Sequence, residues 1–339
     1  MPAEWEPHAA TWLVWPHNAK DWPGKFAPIP WVYTEIIRQV VRGERVRLAV
    51  KDAALESRAR RILGRVGVPL DPVDFLRIPT NRGWTRDTGP IWLTTGGRRV
   101  IAGFGFNAWA KYPDWRLDAR VPERAARLLG VERLSVLHRG RTVVLEGGAV
   151  DVNGRGTVLA TEECLLDPSL QVRNPGFTAR DYEALFAAEL GAPNTLWLGR
   201  GIAGDDTHGH VDDFCRFVDS RTLVLCEEKD PADPNHAALE ENRERLEGAR
   251  LEDGARPQVV RLPMPSPLHF DGMRLPASYA NFYICNAAVL VPTFNDPQDR
   301  VALGILAELI PDRPVVGIHA VDLVWGLGTL HCLSQQEPG

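Results

Sequence analysis

The chain has 339 residues, 44% hydrophobic and 24% charged, with a formal net charge of −5, which is the make-up of a globular protein able to bury a substantial core. No basic run or RNP-like motif points to a nucleic-acid partner, and the mild acidity leans toward a cationic one. No stretch approaches eighteen uninterrupted apolar residues, and Met1 to His8 lack the basic and apolar regions of a signal peptide, so neither a membrane span nor export is expected.

In chain order, Ala10 to Trp15 reads as a buried strand ended by Pro16, followed by a Pro-rich loop over residues 17–30. Residues 31–41 have helical spacing and residues 45–50 read as a strand. Asp52 is the expected N-cap of a helix over 53–65 that ends near Gly67. Helical patterns open near Asp52, Arg120, Thr178, Asn235 and Gln298, at intervals of 68, 58, 57 and 63 residues. Thr178-Ala179-Arg180-Asp181 resembles a capping box with Asp in the place of Glu.

Between the helices lie β-rich runs at 90–93, 98–102, 142–152, 157–161, 214–218, 222–226, 259–262, 282–285, 288–292 and 315–319. Each unit is about three strands and one helix. A recurring unit of this length is a repeat signature, and radial repetition of such units closes a ring of blades. The expected fold is therefore α/β, with about five blades in a single domain over residues 1–339 and no linker. An ordinary α/β protein with coincidental spacing is the alternative. The five cysteines (164, 215, 226, 285, 332) are scattered, odd in number and without a CxxC pair, so they read as free thiols of a cytoplasmic protein.

Four stretches are too polar for core strands: Gly83 to Pro90, Val144 to Asp151, Gly204 to Asp213, and the Cys332 segment that follows Gly326-Leu327-Gly328. Asp87, Glu146, His210 and Cys332 are separated by 59, 64 and 122 residues, the last close to two periods, so they fall at a similar phase of the repeat. Each has a plain alternative. Arg86-Asp87 could be a surface ion pair, Glu146-Gly147-Gly148 a strand end and turn, and Cys332 a buried small hydrophobe. If residues 208–212 were a strand, His208, His210 and Asp212 would share a face and could ligate a metal. Attack on a guanidinium carbon accommodates all four stretches. Two carboxylates, Asp87 and Asp212, can clamp the planar cation. The Cys332 thiolate is then the nucleophile, and His210, oriented by Glu146, protonates the leaving ammonia and activates water.

The segments Pro2 to His8, Trp84-x-Arg86-Asp87-Thr88-Gly89-Pro90, Phe106-Asn107-Ala108-Trp109, Glu146-Gly147-Gly148, Asp206-Thr207-x-Gly209-His210-Val211-Asp212, Ser278-Tyr279-x-Asn281-Phe282-Tyr283 and His331-Cys332-x-x-Gln335-Gln336 cover nearly the whole chain. Together they resemble the guanidine-modifying (pentein) superfamily, and within it the bacterial-type peptidylarginine deiminase family that includes agmatine deiminases. The resemblance implies a five-bladed pseudosymmetric α/β propeller of ββαβ units. It implies hydrolysis of agmatine to N-carbamoylputrescine and ammonia through a covalent Cys-amidino (thiouronium) adduct, without metal or organic cofactor. By motif position, Cys332 resembles the nucleophile, His210 the acid and base, Asp87 and Asp212 the guanidinium carboxylates and Glu146 the histidine's partner. Trp84 resembles an aromatic along the substrate's alkyl chain, and Asp206 the acid that reads its far amine.

The chain departs from the family at Gly326 to Leu330, where a Gly-Gly-Gly-Asn run is common, and at Ala110 to Trp115, where a longer Gly-rich loop is common. These changes bear on the substrate's tail rather than on the reaction. The expected partner is a small cationic guanidine, and a homo-oligomer is compatible with the sequence. A related deiminase acting on peptidyl-arginine or another guanidine, and a non-catalytic propeller scaffold, are the rival readings.

Overall fold

The computed structural model describes residues 1–339. Five sheets of three or four strands carry the chain, and one connection pattern recurs in all of them. A middle strand pairs antiparallel with one strand and, after a helix, parallel with another. The middle strands are His8–Val14, Arg98–Gly103, Thr157–Thr161, Thr222–Glu227 and Ala288–Thr293. Their parallel partners, in the same order, are Arg45–Val50, Glu132–Ser135, Asn194–Leu198, Gln258–Pro263 and Val315–His319. The intervening helices are Ile29–Val40, Val121–Leu129, Ala179–Leu185, Pro234–Glu247 and Pro297–Leu309. The antiparallel partners are Ser334–Pro338, Ile91–Thr95, Asp151–Val152, Cys215–Phe217 and Tyr283–Cys285. The ββαβ unit expected from the sequence is thus present five times, and the first is completed by the C-terminal strand.

Local chemistry sets the helix starts. The Asp52 carboxylate accepts from the Leu55 amide, and Thr178 with Asp181 forms the expected capping box. Asp296 and Asp299 form a second box, with Pro297 in the first turn.

The sequence period counted from Asp52 selected the wrong helix for the first unit. Its crossover helix is Ile29–Val40, whereas Ala53–Arg65 is an addition leading to Val73–Arg77, the fourth strand of that sheet. The Asp52 cap is a clear start signal, while Ile29–Val40 begins after Pro28 with no side-chain cap. The run 142–152 is not one strand. The strand ends at Thr142, a single parallel bridge joins Val144 to Gly105, and the chain turns at Gly147–Ala149 before pairing again at Asp151–Val152. Three short strands, Glu132–Ser135, Asn194–Leu198 and Ser334–Pro338, carry too many polar residues to show in the pattern.

The antiparallel strand of each unit is entered through a tight connection. These are the helical turn Thr85–Thr88, the turn Gly147–Ala149, the turn Val211–Asp213, the segment around Asn281, and the helical turn Leu330–Leu333. Thr85–Thr88 packs against both Leu330–Leu333 and Gly147–Ala149, which in turn packs against Val211–Asp213. The side chain of Asn281 bonds Cys332 and Asp213. All five connections therefore meet.

The C-terminal strand is held by more than its ladder. Buried Glu337 accepts from Trp12 Nε1 (2.9 Å), Arg47 Nε (3.2 Å) and Arg99 Nη1 (3.0 Å). Removing one member of such a cluster strands the others, although the half-open arginines regain some water. Glu337→Ala is expected to cost about 2 kcal/mol in denaturant unfolding, and wild-type stability would mean that backbone pairing alone holds the strand.

Candidate active site

Cys332 lies in the helical turn before the last strand, where Leu327 at φ 69° and Gly328 bring the chain against Trp84. A Cβ on Gly328 would stand 2.9 Å from Trp84 Cζ3 and 3.0 Å from Cys332 Cβ, so only glycine permits this approach. Asn281 anchors the turn. Its Oδ1 accepts from Thr329 Oγ1 (2.8 Å) and the His331 amide (3.1 Å), while its Nδ2 donates to Cys332 Sγ (3.1 Å) and Asp213 Oδ1 (2.9 Å).

Asp87 stands at the end of the Thr85–Thr88 turn. Its carboxylate accepts from Trp109 Nε1 (2.9 Å) and the Gly148 amide (3.1 Å). Asp212 lies across from it, with Oδ2 2.6 Å from His331 Nδ1 and Oδ1 buried without a partner. Between them, His210 Nδ1 is 3.8 Å from Asp87 Oδ1 and 4.0 Å from Asp212 Oδ1. Gly148 makes room for this packing, since a Cβ there would lie 2.6 Å from His210 Nδ1. Asp212 Oδ2 is 3.9 Å from Cys332 Sγ. The structure thus brings Cys332, His210, Asp87, Asp212 and Glu146 into one buried group.

Glu146 is placed differently from the simple expectation. It ion-pairs with buried Arg173 (3.1 Å), and its other oxygen stays 4.0 Å from His210 Nε2, which has no hydrogen-bond partner. Trp84 lines a cavity of about 150 Å³ together with Cys332, Asp87, Trp109, Tyr112 and Trp325. Asp206 lies on the same cavity, where it pairs with Lys111 and accepts from Tyr112 Oη (2.6 Å).

The metal alternative loses its premise. His208 has φ 66° and Gly209 φ 87°, so residues 208–212 are not a strand. His208 turns away to Asp167 (3.1 Å), while His210 faces Asp87. Nor is Arg86 a surface residue. It is buried and donates to Glu4 (3.0 Å) and Gln336 (2.7 Å). Asn281, Glu4, His331 and Arg173 went unassigned in the sequence. The first three lie inside quoted motifs, which was the available signal, but a lone amide or a glutamate near the N-terminus announces no chemistry.

The electrostatics follow from burial. Burial pushes the Asp87 carboxyl up to about 6, with Asp212 and Glu146 adding to the rise and His210 opposing it. Burial works against a charged His210, but Asp87, Cys164 and Asp212 outweigh it and lift the imidazole well above its usual value. Burial, then the charges of Asp212, Asp213 and Asp87, push the Cys332 thiol well up. Burial would also raise Asp212, yet His331, His210 and Arg216 together hold it below its usual value. At neutral pH the resting site is therefore a thiol and an imidazolium among carboxylates.

Residues 1–338 match the family model of the Porphyromonas-type peptidyl-arginine deiminases. The chain belongs to that family. It is 32% identical to the agmatine deiminase of Ectopseudomonas mendocina, covering all of this chain and 95% of that protein. Among solved structures, it superposes on the agmatine deiminase of Enterococcus faecalis with a TM-score of 0.89 at 29% identity, covering 100% of this chain and 95% of that one. A cysteine-to-serine variant of the C. jejuni agmatine deiminase with substrate bound gives 0.87 at 28% identity, over 100% and 96% of the two chains. The family and the mixed α/β fold expected from the sequence are thereby established.

The imidazolium assignment is open to direct test. By NMR, His210 should titrate well above the ordinary histidine value, and Asp87→Asn should lower its midpoint by about one unit or more. An unmoved midpoint would mean that Asp87 does not govern the ring.

Proposed function

We propose that the protein is a guanidine deiminase that hydrolyses agmatine to N-carbamoylputrescine and ammonia through a covalent adduct on Cys332. We read it as one catalytic domain over residues 1–339, a five-bladed pseudosymmetric propeller of the pentein type, working in the cytoplasm. The recurrence of one ββαβ unit in five sheets, and the convergence of their connections, support the ring. No helix is long and apolar enough to cross a membrane.

One observation carries the catalytic reading. A thiol, an imidazole and two carboxylates are buried together beside a small cavity, and one carboxylate oxygen, Asp212 Oδ1, has no partner. A buried anionic oxygen without a donor is costly, and a guanidinium supplies both the charge and the N–H groups it lacks. In this reading Asp87 and Asp212 clamp the guanidinium with its central carbon over Cys332 Sγ. The bound cation offsets the carboxylates that hold the thiol proton in place, so the thiol yields that proton to solvent as substrate seats. The thiolate adds to the carbon, and the His210 imidazolium gives its proton to the departing amino group, releasing ammonia and leaving the thiouronium adduct. Neutral His210 then takes a proton from water. The hydroxide adds to the same carbon, the C–S bond breaks, and the proton left on the new hydroxyl passes to the departing sulfur, which restores the thiol and frees the urea product. Glu146 and Arg173 buttress the ring, and Trp84 flanks the alkyl chain.

Purified protein given agmatine, free arginine and a peptidyl-arginine side by side should release ammonia from agmatine. Turnover of only one of the other two would reassign the substrate, and silence on all three would favour a binding scaffold. Cys332→Ser should lower kcat by at least about a thousandfold while agmatine still binds, whereas near-normal turnover would remove the thiol from the mechanism. Asp87 is anionic above pH about 6 and neutral below it. Clamping needs the anion, so kcat/KM should fall as pH drops through that value, and an acid limb unchanged in Asp87→Asn would show that another group sets it.

A further inference from the structure

We propose that Lys111 is a specificity-determining residue, its ammonium occupying on Asp206 the place that the terminal ammonium of a substrate would take. The inference rests on the hydrolytic reading above and concerns the far end of the same pocket.

The carboxylates of the site are unevenly answered. Beside Cys332, Asp212 keeps a buried oxygen without a partner. On the cavity wall, Asp21 pairs with Arg82 (2.8 Å) through one oxygen and keeps its other oxygen buried without a partner. Asp206 is fully engaged, since one oxygen pairs with Lys111 and the other accepts from Tyr112 Oη. A guanidine with a neutral tail leaves the Asp206 pair as it stands. A dication such as agmatine places its ammonium on Asp206 only by displacing Lys111.

The Lys111 contact is built into the fold. Ala108, Trp109 and Ala110 have φ of 53°, 57° and 53°, a run of left-handed residues without a glycine. Such a run persists only where its surroundings over-determine it. Here the Asn107 side chain accepts from the Ala110 amide (2.9 Å), and Trp109 Nε1 is fixed on Asp87 (2.9 Å). The Gln171 amide donates both to the Trp109 carbonyl (3.1 Å) and to the Asp206 carbonyl (3.1 Å), tying the loop of Lys111 to the loop of Asp206. The loop that delivers Lys111 is thus pinned at one end to the carboxylate clamp and at the other to the partner of Lys111 itself. The lysine side chain is 40% exposed, so once displaced it returns to water at little cost.

The test compares agmatine with n-butylguanidine, which has the same chain length and no amine. Lys111→Ala should lower KM for agmatine about threefold to fivefold, the range of a partly exposed ion pair, with kcat unchanged and with KM for n-butylguanidine unchanged. In Asp206→Asn the KM ratio of the two guanidines should no longer respond to Lys111→Ala. An agmatine KM that rises or stays put in Lys111→Ala overturns the proposal. So does an equal shift for both guanidines, which marks a loop-shaping role, or loss of turnover of free arginine, which marks a carboxylate reader. Dissociation constants of both guanidines for Cys332→Ser, with and without Lys111→Ala, are measured in parallel. If the wild type releases ammonia from neither guanidine, the hydrolytic reading fails, and the Lys111 assignment is decided by the ratio of those constants.

Discussion

Glu4 is buried among Arg86, Arg216 and His331, and through His331 it fixes Asp212 beside the Cys332 thiol. The rest of the site depends on this network. Burial alone would keep Glu4 protonated, but Arg216, His331 and Arg86 together hold it well below its usual range. Glu4 Oε1 also accepts from the Ile284 amide (2.8 Å), and Arg216 donates to the Phe282 carbonyl (3.0 Å). One carboxylate near the N-terminus thus joins the turn carrying Arg86, the turn carrying His331 and Cys332, and the strands at Arg216 and Ile284. A buried ionic cluster of this kind adds little net stability relative to apolar packing. Its effect is geometric, because every alternative arrangement leaves a buried charge without its partner.

That network also separates the roles of two chemically identical groups. Asp212 has His331 on one oxygen and stays ionised. Asp87 has only an indole N–H and a backbone amide, and it is pushed up to about 6. The two carboxylates proposed to clamp the substrate therefore differ: Asp212 stays ionised, and Asp87 titrates near neutrality. The same crowding of carboxylates that keeps the thiol protonated also keeps His210 cationic. In the proposed mechanism the neutral thiol is a poor nucleophile, and a bound cation relieves the repulsion that holds its proton.

Much of this was legible in the sequence because the repeat placed like residues at like phase. A recurring unit of about three strands and one helix, the capping box at Thr178 and the gathering of Asp87, Glu146, His210, Asp212 and Cys332 follow from spacing and residue type, while the ββαβ order came from the family resemblance. What escaped had no periodic or compositional mark. The Ser334–Pro338 strand looks like a polar tail because its side chains bond Trp12, Arg47 and Arg86 rather than pack on apolar neighbours. The partner of Glu146 proved to be Arg173, in a segment with no motif at all. Asp206 lines the pocket as expected, but its engagement by Lys111 depends on a left-handed loop that nothing in Ala108-Trp109-Ala110 foretells.

The way the site is assembled also limits how it can vary. Each of the five connections gives it one part: the Asp87 turn, the Glu146 turn, the His210–Asp213 turn, Asn281, and the Cys332 turn. Each connection enters an antiparallel strand within a few residues, so its side chains cannot shift without moving a ladder. The first sheet is closed by the last strand, which makes the thiol's position depend on both ends of the chain being folded. Each part is placed by its own sheet, but hydrogen bonds such as those of Asn281 to Thr329, His331 and Cys332 couple one part to the next. The freedom that remains lies in the loops at the cavity mouth, Ala108 to Trp115 and Asp205 to His208, which belong to no ladder. The two departures from the family pattern lie in that mouth loop and in the turn before Cys332, where Trp109 holds Asp87 and Gly328 abuts Cys332, so in the proposed reading a change of tail specificity is confined to positions such as Lys111 that touch neither Asp87 nor the thiol.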